Sequence, residues 1–528
     1  MRPEKSHSHI FRSEMVIPGT GCADMWQVFR IFAVRMVNGN PESGKNAVKL
    51  PSPWVSVLPL AVLTLLLYVV IRCFGGDAIN GGSQIALLSA TSVCVMLAIG
   101  IYRCKWAVLE EAIIDNIRAS ASAIIILLLI GAIAGSWMVS GVVPTMIYYG
   151  LKILHPSFFL VASCAICAGV SLMTGSSWTT IATIGVALMG IGQAMGFPEG
   201  WIAGAIISGA YFGDKISLLS DTTVLASSTV GVPIFTHIRY MLYTTVPSFV
   251  IALAVFVIAG LTLDHTGGTH AGMYAESLRG TFRITPWLLA VPVATGVLIV
   301  RKLPAIVTLF CAAVFACIAM LLAQPELVAK VAGVGGLDFM SGFKGVLMSC
   351  FGPTAIPTGS PQLDELVATR GMAGMLNTVW LIICAMCFGG VMTGSGMLGA
   401  LTSVFLRFVR RAFSAVASTV GAGIFFNLCT ADQYISIILS GRLFRELYAE
   451  QGLEPRLLSR SVEDSATVCS VLVPWNSCGM TQATVLGVST FVYMPYCIFN
   501  IVSPLMSLAV AAIGWKIKRA AGSAAHPH

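Results

Sequence analysis

Charged residues are scarce in this chain. Asp, Glu, Lys and Arg together make up 10% of its 528 residues, whereas hydrophobic residues make up 56%. The mean hydropathy, +0.86, lies outside the range of soluble globular proteins. The composition therefore predicts a polytopic membrane protein.

Histidine and nucleotide-binding motifs are also largely missing, which excludes several cofactors. The eight histidines fall in the tails or at the ends of apolar runs, so they offer no axial ligand to a haem inside the membrane. Two CxxC pairs, Cys164/Cys167 and Cys384/Cys387, lie inside apolar runs without a neighbouring histidine, where cysteine is a small apolar residue. The chain has no GxxxxGK[ST] loop. We predict no bound cofactor and an ion gradient as the source of energy.

Apolar runs of spanning length recur along the chain. They are Trp54–Phe74, Gln84–Tyr102, Ala119–Met138, Ser157–Met173, His237–Leu263, Pro286–Val300, Ala305–Ala323, Met375–Met392, Ala415–Phe426 with its continuation, and Val492–Trp515. Between the second and third runs, residues 105–118 alternate apolar and acidic positions, which favours a separate amphipathic helix at the membrane interface.

Basic residues predict the orientation. Seven lysines and arginines precede residue 50, and Lys516, Lys518 and Arg519 follow the last run. The positive-inside rule then puts both termini in the cytoplasm of a cell with this protein in its plasma (inner) membrane, with an even number of crossings. These basic segments account for the net charge of +8, which favours an orientation in which they face anionic lipid, and we predict no nucleic-acid partner.

The segment Ser208–Thr223 places charge inside an apolar region. It reads SGAYFGDKISLLSDTT and contains Asp214, Lys215 and Asp221. A charge at the bilayer centre costs roughly 2.5–3.5 kcal/mol on insertion scales. Because residues 201–230 would measure about 45 Å as one helix, against a hydrocarbon core of about 30 Å, we predict a helix broken between Gly213 and Ser220.

Three further polar segments interrupt apolar runs: residues 174–183 (TGSSWTTIAT), 430–433 (TADQ) and 474–477 (PWNS). Matching polar segments in the two halves are separated by about 253–255 positions, which favours an internal repeat. We predict an all-α polytopic membrane protein with two inverted repeats, broken helices and re-entrant hairpins. Asp432 has the sequence of a helix cap at membrane depth, whereas Glu463 and Asp464 have that of a cap nearer the interface.

The predicted organisation has five parts. They are an N-terminal cytoplasmic extension (1–52), a first repeat-containing half (53–263), connecting spans and loops (264–373), a second repeat-containing half (374–515) and a cytoplasmic tail (516–528).

These segments resemble the NhaC family of sodium/proton antiporters, which also includes malate/lactate-type sodium antiporters. GAYFGDKISLLSDTT, TGSSWTTIATIGVAL, TADQYISIILSGRLF and LSRSVEDSATVCSVLVPWNSCG carry the resemblance, which runs from roughly Trp54 to Trp515. It implies an ion-transporter fold with a cation site where the two repeats meet, and alternating access by movement of part of each repeat.

The chain departs from the family pattern at several positions. Leu218 and Val471 replace prolines, and Val142, Val224 and Ser227 stand where relatives tend to have threonine, asparagine and proline. The main carboxylates are kept. The lost polar groups leave the transported solute open.

Asp214, Ser217 and Asp221 follow i, i+3, i+7 spacing, so they share a face if helical or flank an opening if the helix unwinds. Buried carboxyl groups that repel one another bind protons more readily, so sodium and protons would compete for the same oxygens. We predict that Asp221 binds sodium with Ser220, Thr222 and Thr223, and that Asp214 carries or helps carry the exchanged proton. The alternative for Asp214 is a structural ion pair with Lys215. The residues predicted to bind ions are Ser176, Ser177, Thr179, Asp214, Ser217, Ser220, Asp221, Thr222, Thr223, Asp432, Asn476 and Ser477.

Three readings of function compete. The first is a sodium/proton antiporter, and the second is a sodium- or proton-coupled carrier of a small organic anion or amino acid in the same fold. An ion channel fits less well, because no repeated carbonyl filter or ring of charge is present. An enzyme is not predicted, since no nucleophile and base occur together. The oligomeric state, including a homodimer, stays open.

Overall fold

The computed structural model describes residues 51–74, 80–263, 267–301, 303–359, 364, 367–407, 409 and 411–517. These residues form helices, with one isolated antiparallel bridge between Thr354 and Thr369. The all-α prediction is therefore confirmed for the described part of the chain. Most of the predicted N-terminal extension, and Lys518 and Arg519 in the tail, lie outside the described residues.

The helices up to the middle of the chain follow the predicted apolar runs and polar interruptions. They are α1 (Pro53–Phe74), α2 (Gly82–Gly100), α3 (Trp106–Val139), α4 (Val142–Ile153), α5 (Pro156–Thr174), α6 (Ser177–Thr180), a π turn (Ile181–Gly185), α7 (Val186–Ala194), α8 (Glu199–Ile216), α9 (Asp221–Val230), α10 (Ile234–Thr262), α11 (Gly267–Thr281), a 3-10 turn (Pro286–Leu289), α12 (Ala290–Val300) and α13 (Ala305–Ala323).

The remaining helices are interrupted at the predicted polar segments 430–433 and 474–477. They are α14 (Pro325–Ala332), α15 (Phe339–Phe351), α16 (Gly371–Gly394), α17 (Met397–Arg407), α18 (Ala412–Thr430), α19 (Gln433–Glu450), α20 (Pro455–Val462), a π turn (Glu463–Thr467), a 3-10 turn (Ser470–Leu472), α21 (Ser477–Leu486), α22 (Thr490–Tyr493), a 3-10 turn (Met494–Tyr496) and α23 (Ile498–Ile513).

Among the described residues, eight helices are long and apolar enough to cross a membrane, and up to eleven spans result if each bent pair counts as one. The last predicted run is one of these bent pairs, since α22 with its 3-10 turn meets α23 at 54°. The protein is a multi-pass membrane protein. The even number of crossings and the inverted relation of the two halves remain predictions.

The amphipathic segment 105–118 is not a separate interfacial helix, which corrects the prediction. It is the first part of α3, which continues without a break to Val139. A helix of 34 residues is about 51 Å long, so its first turns extend beyond a hydrocarbon core of about 30 Å. Glu110, Glu111 and Asp115 on those turns are exposed.

Glycine contacts bring the site-bearing helix α8 against α5. A Cβ atom at Gly209 would lie 2.0 Å from the carbonyl oxygen of Cys164, and one at Gly213 would lie 2.2 Å from that of Ala168. Only a residue without a side chain permits this approach of two helix backbones. The contact fixes the end of α8, where Asp214 lies, beside the end of α5.

We expect Gly213→Ala to loosen this contact. The added methyl group would overlap the α5 backbone, so the free energy of unfolding should fall by about 1–3 kcal/mol. Thermal unfolding of the purified protein in detergent measures the change. Gly169→Ala is the matched control because it lies inside α5 with nothing within 4 Å of the added atom. Equal stability of Gly213→Ala and the wild-type protein would contradict the predicted role of the contact.

Candidate functional site

The predicted break in Ser208–Thr223 is present. Helix α8 ends at Ile216, α9 begins at Asp221, and the two helices meet at 46°. Ser220 caps α9 by accepting a hydrogen bond from the backbone N–H of Thr223 at 3.4 Å. Residues 217–220, called here the first break, therefore separate Asp214 in the last turn of α8 from Asp221 in the first turn of α9.

The segment 174–183 also interrupts a helix, as predicted. Helix α5 ends at Thr174, Gly175 adopts a left-handed conformation with φ 67°, and Ser176 caps α6. The chain reverses direction after this point. The evidence is that the ring of Phe197, beyond the end of α7, stacks on that of Phe159 near the start of α5. Residues 175–176, called the first tip, are thus the tip of a helical hairpin.

Ser177, directly after the first tip, binds Asp214. The Oδ2 atom of Asp214 accepts hydrogen bonds from the backbone N–H of Ser177 at 3.0 Å and from its hydroxyl at 2.7 Å. The carboxylate also lies beside the hydroxyl of Ser220. It is 8% exposed and forms no ion pair with any residue that the structure describes. This buried acid is therefore stabilised by hydroxyl groups and a helix N-terminus, and not by a cationic side chain.

The second half contains a matching tip at residues 431–432. Ala431 is left-handed with φ 57°, and Asp432 caps α19 by accepting a hydrogen bond from the N–H of Ile435 at 3.0 Å. The predicted cap is confirmed. This hairpin closes at its base, where the hydroxyls of Thr419 on α18 and Tyr448 on α19 lie 3.0 Å apart.

The two tips share one pattern of hydrogen bonds. Thr174 donates to the carbonyl of Ser176 at 3.2 Å and contacts the Thr180 hydroxyl at 3.3 Å. Thr430, 256 positions later, donates to the carbonyl of Asp432 at 3.1 Å and contacts the Ser436 hydroxyl at 3.2 Å. Equivalent positions therefore make equivalent bonds at the two tips.

The second tip is completed by a second break at residues 473–476. Asn476 caps α21 by accepting from the N–H of Cys478 at 3.0 Å, and its amide donates to the Asn427 side chain at 3.2 Å. The hydroxyl of Ser477 donates to Oδ2 of Asp432 at 3.3 Å, and that of Ser120 on α3 donates to the same atom at 3.4 Å. Asp432 is 1% exposed, so it is a second buried acid held by hydroxyl groups.

The other predicted site residues divide into two groups. Asp221 is exposed and makes no hydrogen bond or ion pair with a described residue, whereas the hydroxyls of Ser220 and Thr222 lie 3.0 Å apart next to it. The rest bond to nearby backbone or caps: Ser217 donates to the carbonyl of Leu172 at 2.8 Å, Thr223 donates to that of Lys215 at 3.0 Å, and Thr179 donates to the Ser176 hydroxyl at 3.1 Å.

Lys215 does not pair with Asp214. Its ammonium group forms a fully buried ion pair with Asp464 and donates to the hydroxyl of Ser503 at 2.9 Å. Asp464 also accepts from Thr244 at 3.1 Å, and Nε of Arg460 lies 3.8 Å from its other oxygen. This buried cluster ties the end of α8 to the π turn that follows α20.

The prediction that Glu463 and Asp464 cap a helix nearer the interface is wrong. No helix begins at Ser461, since α20 starts at Pro455 and leads directly into the π turn. Both acids have no exposed surface. Neither oxygen of Glu463 has a hydrogen-bond partner among the described residues, although its carboxyl interacts electrostatically with Lys215 and Asp214. Tertiary packing overrides the local capping pattern here.

Sequence reasoning missed Tyr434, Gln433, Ser470 and Ser120. The phenol of Tyr434 interacts electrostatically with Asp214, Asp221 and Asp432. Gln433 accepts from the hydroxyl of Ser470 at 3.2 Å. The proximity of Gln433 and Tyr434 to Asp432 in the sequence could have pointed to them. Ser120 offers no such signal, because it lies 312 positions away.

A cavity of about 820 Å³ lies on one side of the second break. Its wall includes Trp475 at the break, Thr484 on α21, and the charged side chains of Glu199 and Arg370. Trp475 donates its indole N–H to the carbonyl of Leu428 at 2.8 Å, which holds the ring against α18. Among the described residues no group of three or more His, Cys, Asp or Glu side chains could hold a metal ion together.

The known proteins to which this chain is similar are antiporters. A profile of the Na+/H+ antiporter family matches residues 209–515. The chain is 35% identical over 425 residues to the Na+/H+ antiporter NhaC of Alkalihalophilus pseudofirmus, which covers 80% of this chain and 89% of that protein.

Two other relatives carry different names. The chain is 35% identical over 440 residues to the malate-2H+/Na+-lactate antiporter of Bacillus subtilis, covering 82% of this chain and 88% of that protein. It is 34% identical over 489 residues to the arginine/ornithine antiporter ArcD of Halobacterium salinarum, covering 91% and 96%.

Proposed function

The chain belongs to the Na+/H+ antiporter family, and from this premise we propose that it exchanges sodium ions for protons through the carboxylates at its two helix tips and breaks. The observation that supports this most is the pair of buried acids, Asp214 and Asp432. Each is held by serine hydroxyls beside a helix N-terminus, and neither forms an ion pair with a described residue. A buried carboxylate without a fixed cationic partner can exchange one bound cation for another.

The carboxylates have separate roles in this proposal. Asp214 carries the proton, because it is buried and forms no ion pair with a described residue, and both favour its neutral form. Asp221 binds sodium with the neighbouring hydroxyls of Ser220 and Thr222, since its own oxygens have no described partner. Asp432 with Ser477 and Asn476 supplies the second set of oxygens. Carboxylate, hydroxyl and amide oxygens are the ligands that a hard cation prefers.

An ion reaches the buried acids Asp214 and Asp432 only if the break segments move. The left-handed tips and the unwound residues 217–220 and 473–476 are short, capped segments between rigid helices, so backbone rotation there can open the acids to one side at a time. The protein would act in the plasma membrane with both termini in the cytoplasm.

The proposal is tested in proteoliposomes that contain only the purified protein. A sodium gradient should drive movement of protons in the opposite direction, measured with an internal pH-sensitive dye, and sodium should accelerate the collapse of an imposed pH gradient. Potassium at the same ionic strength is the control for non-specific leakage. A sodium gradient that moves no protons, in vesicles shown to be tight, would refute sodium/proton exchange.

A second candidate function is exchange of a small carboxylate or amino acid coupled to sodium or protons. The cavity of about 820 Å³ is far larger than a sodium ion, and its wall carries both a positive side chain, Arg370, and a negative one, Glu199. Such a pair suits a solute with both a carboxylate and an ammonium group. The arginine/ornithine antiporter is named for solutes of this kind, whereas the malate/lactate antiporter is named for carboxylates without an ammonium group.

A solute panel separates the two candidates. Malate, lactate, arginine and ornithine are tested for thermal stabilisation of the purified protein and for uptake into sodium-loaded vesicles. Stabilisation and uptake of one of them would establish the carrier. If sodium alone stabilises the protein and drives proton movement, the simple cation exchanger is correct.

A further inference from the structure

Three hydroxyl groups lie along one face of α21. Ser477, Thr481 and Thr484 are spaced i, i+4 and i+7, the spacing that brings side chains onto one face of an α-helix. At 1.5 Å per residue the first and last of them are about 10 Å apart along the axis. This set is called the hydroxyl stripe.

The hydroxyl stripe connects two parts of the site. At one end the Ser477 hydroxyl donates to the buried carboxylate of Asp432 at 3.3 Å. At the other end Thr484 lies in the wall of the large cavity, where its hydroxyl is 2.6 Å from that of Thr378 on α16, also in the wall. The acid and the cavity are thus separated by two turns of one helix.

The middle hydroxyl of the stripe lacks a partner. Thr481 has no exposed surface, and its Oγ1 atom makes no hydrogen bond within the described part of the chain. Thr145, Thr245 and Thr467 share this property elsewhere in the described residues, but only Thr481 of these lies between Ser477 and Thr484. A threonine in a helix commonly bonds to its own backbone, as Thr295 does when it donates to the carbonyl of Val291 at 2.9 Å. Leaving a buried hydroxyl unpaired is unfavourable, so an additional partner would stabilise it.

We propose that the hydroxyl stripe is the passage by which a hard monovalent cation moves between the large cavity and Asp432, with Thr481 as its intermediate ligand. Hydroxyl oxygens replace part of the hydration shell of the ion, and their spacing allows it to be passed from one to the next. Met480, next to Thr481 in the sequence, lies in the cavity wall and is 3% exposed, and its flexible side chain can move without breaking a hydrogen bond. This inference rests on the proposed function, because it requires that a cation is transported.

The test compares Thr481→Val with Thr481→Ser in proteoliposomes. Valine has the shape of threonine without the hydroxyl, so sodium-driven proton movement should be roughly tenfold slower. Thr481→Ser keeps the hydroxyl and should stay near the wild-type rate. Thr295→Val is the matched control, since it removes a buried hydroxyl on α12, away from the stripe.

A second readout separates a passage from a binding site. Sodium should still raise the unfolding temperature of Thr481→Val, because Asp432 and Ser477 are unchanged, whereas Asp432→Asn should lose much of that effect. Slow exchange with retained sodium stabilisation is the expected combination. If Thr481→Val gives little folded protein, Thr484→Val at the cavity wall replaces it, with the same expectation.

The outcomes distinguish this inference from the proposed function. Wild-type exchange together with an unchanged rate in Thr481→Val, or in its replacement Thr484→Val, would overturn the passage and leave the antiporter proposal intact. Equal slowing by Thr481→Ser or by Thr295→Val would also overturn it, because the effect would then be one of packing. A wild-type protein that does not exchange sodium for protons would overturn both.

Discussion

Asp214→Asn is expected to reduce sodium-driven proton movement to the level of protein-free vesicles, while the protein stays folded. The asparagine side chain keeps the size of the carboxylate and can still accept the two hydrogen bonds from Ser177. It cannot bind and release a proton, and it removes a negative charge that a cation needs near a buried site. Asp221→Asn should abolish exchange as well, by removing the exposed carboxylate next to the first break.

The measurement is the initial rate of internal pH change after a sodium gradient is imposed. Thermal unfolding of each variant checks that it is folded. Asp115→Asn is the control, because Asp115 lies on the exposed first turns of α3 and pairs with Arg118 there. Full exchange in both Asp214→Asn and Asp221→Asn would rule out the assigned carboxylates.

Lys215→Met is expected to destabilise the protein strongly, by about 3–5 kcal/mol in the free energy of unfolding. The substitution keeps most of the apolar length of the side chain but leaves Asp464 as a buried carboxylate without its ammonium partner. Arg460 does not fully replace it, since its Nε atom is 3.8 Å away and its guanidinium makes no hydrogen bond among the described residues. Unfolding by heat and by denaturant in detergent, with folded yield, measures the loss.

The double variant Lys215→Met/Asp464→Asn tests the cause. Removing both charges eliminates the unpaired buried carboxylate, so the double variant should regain much of the stability lost by the single one. Arg118→Met is the control for loss of a cation from an exposed pair, where little change is expected. Two results would show that the ion pair is not what holds α8 to the π turn. One is a Lys215→Met variant as stable as the wild-type protein, and the other is a double variant that is no more stable than Lys215→Met.

Local sequence was sufficient for several features of the site. The cap at Asp432 and the first break depend on residues within a few positions of each other, such as Ser220 with Thr223 and Asp432 with Ile435. Hydrogen bonds of this kind form wherever the sequence places a short polar side chain before a helix. The apolar runs likewise predicted most of the long helices, because burial in lipid requires about 20 consecutive apolar residues.

The partners of the charged groups could not be predicted in this way. Asp214 meets Ser177 across 37 positions, and Lys215 meets Asp464 across 249. The capping pattern at Glu463 and Asp464 was misleading. Both acids lie in a π turn and are buried by the packing of the surrounding helices. The adjacent residues Asp214 and Lys215 therefore have separate environments that their sequence neighbourhood does not reveal.

The sequence by itself determined that this protein is a helical, multi-pass membrane protein of a sodium/proton antiporter family, and where its helices are interrupted. These properties follow from composition and from hydrogen bonds between near neighbours, which do not depend on the rest of the fold. Only the tertiary structure decided which acids are held by hydroxyls, which one is paired with a lysine, and which buried hydroxyls, Thr481 among them, have no partner in the described residues. Those outcomes depend on contacts between groups far apart in the chain: α8 packs on α5, Lys215 meets Asp464 in the π turn, and Ser477 at the start of α21 meets Asp432.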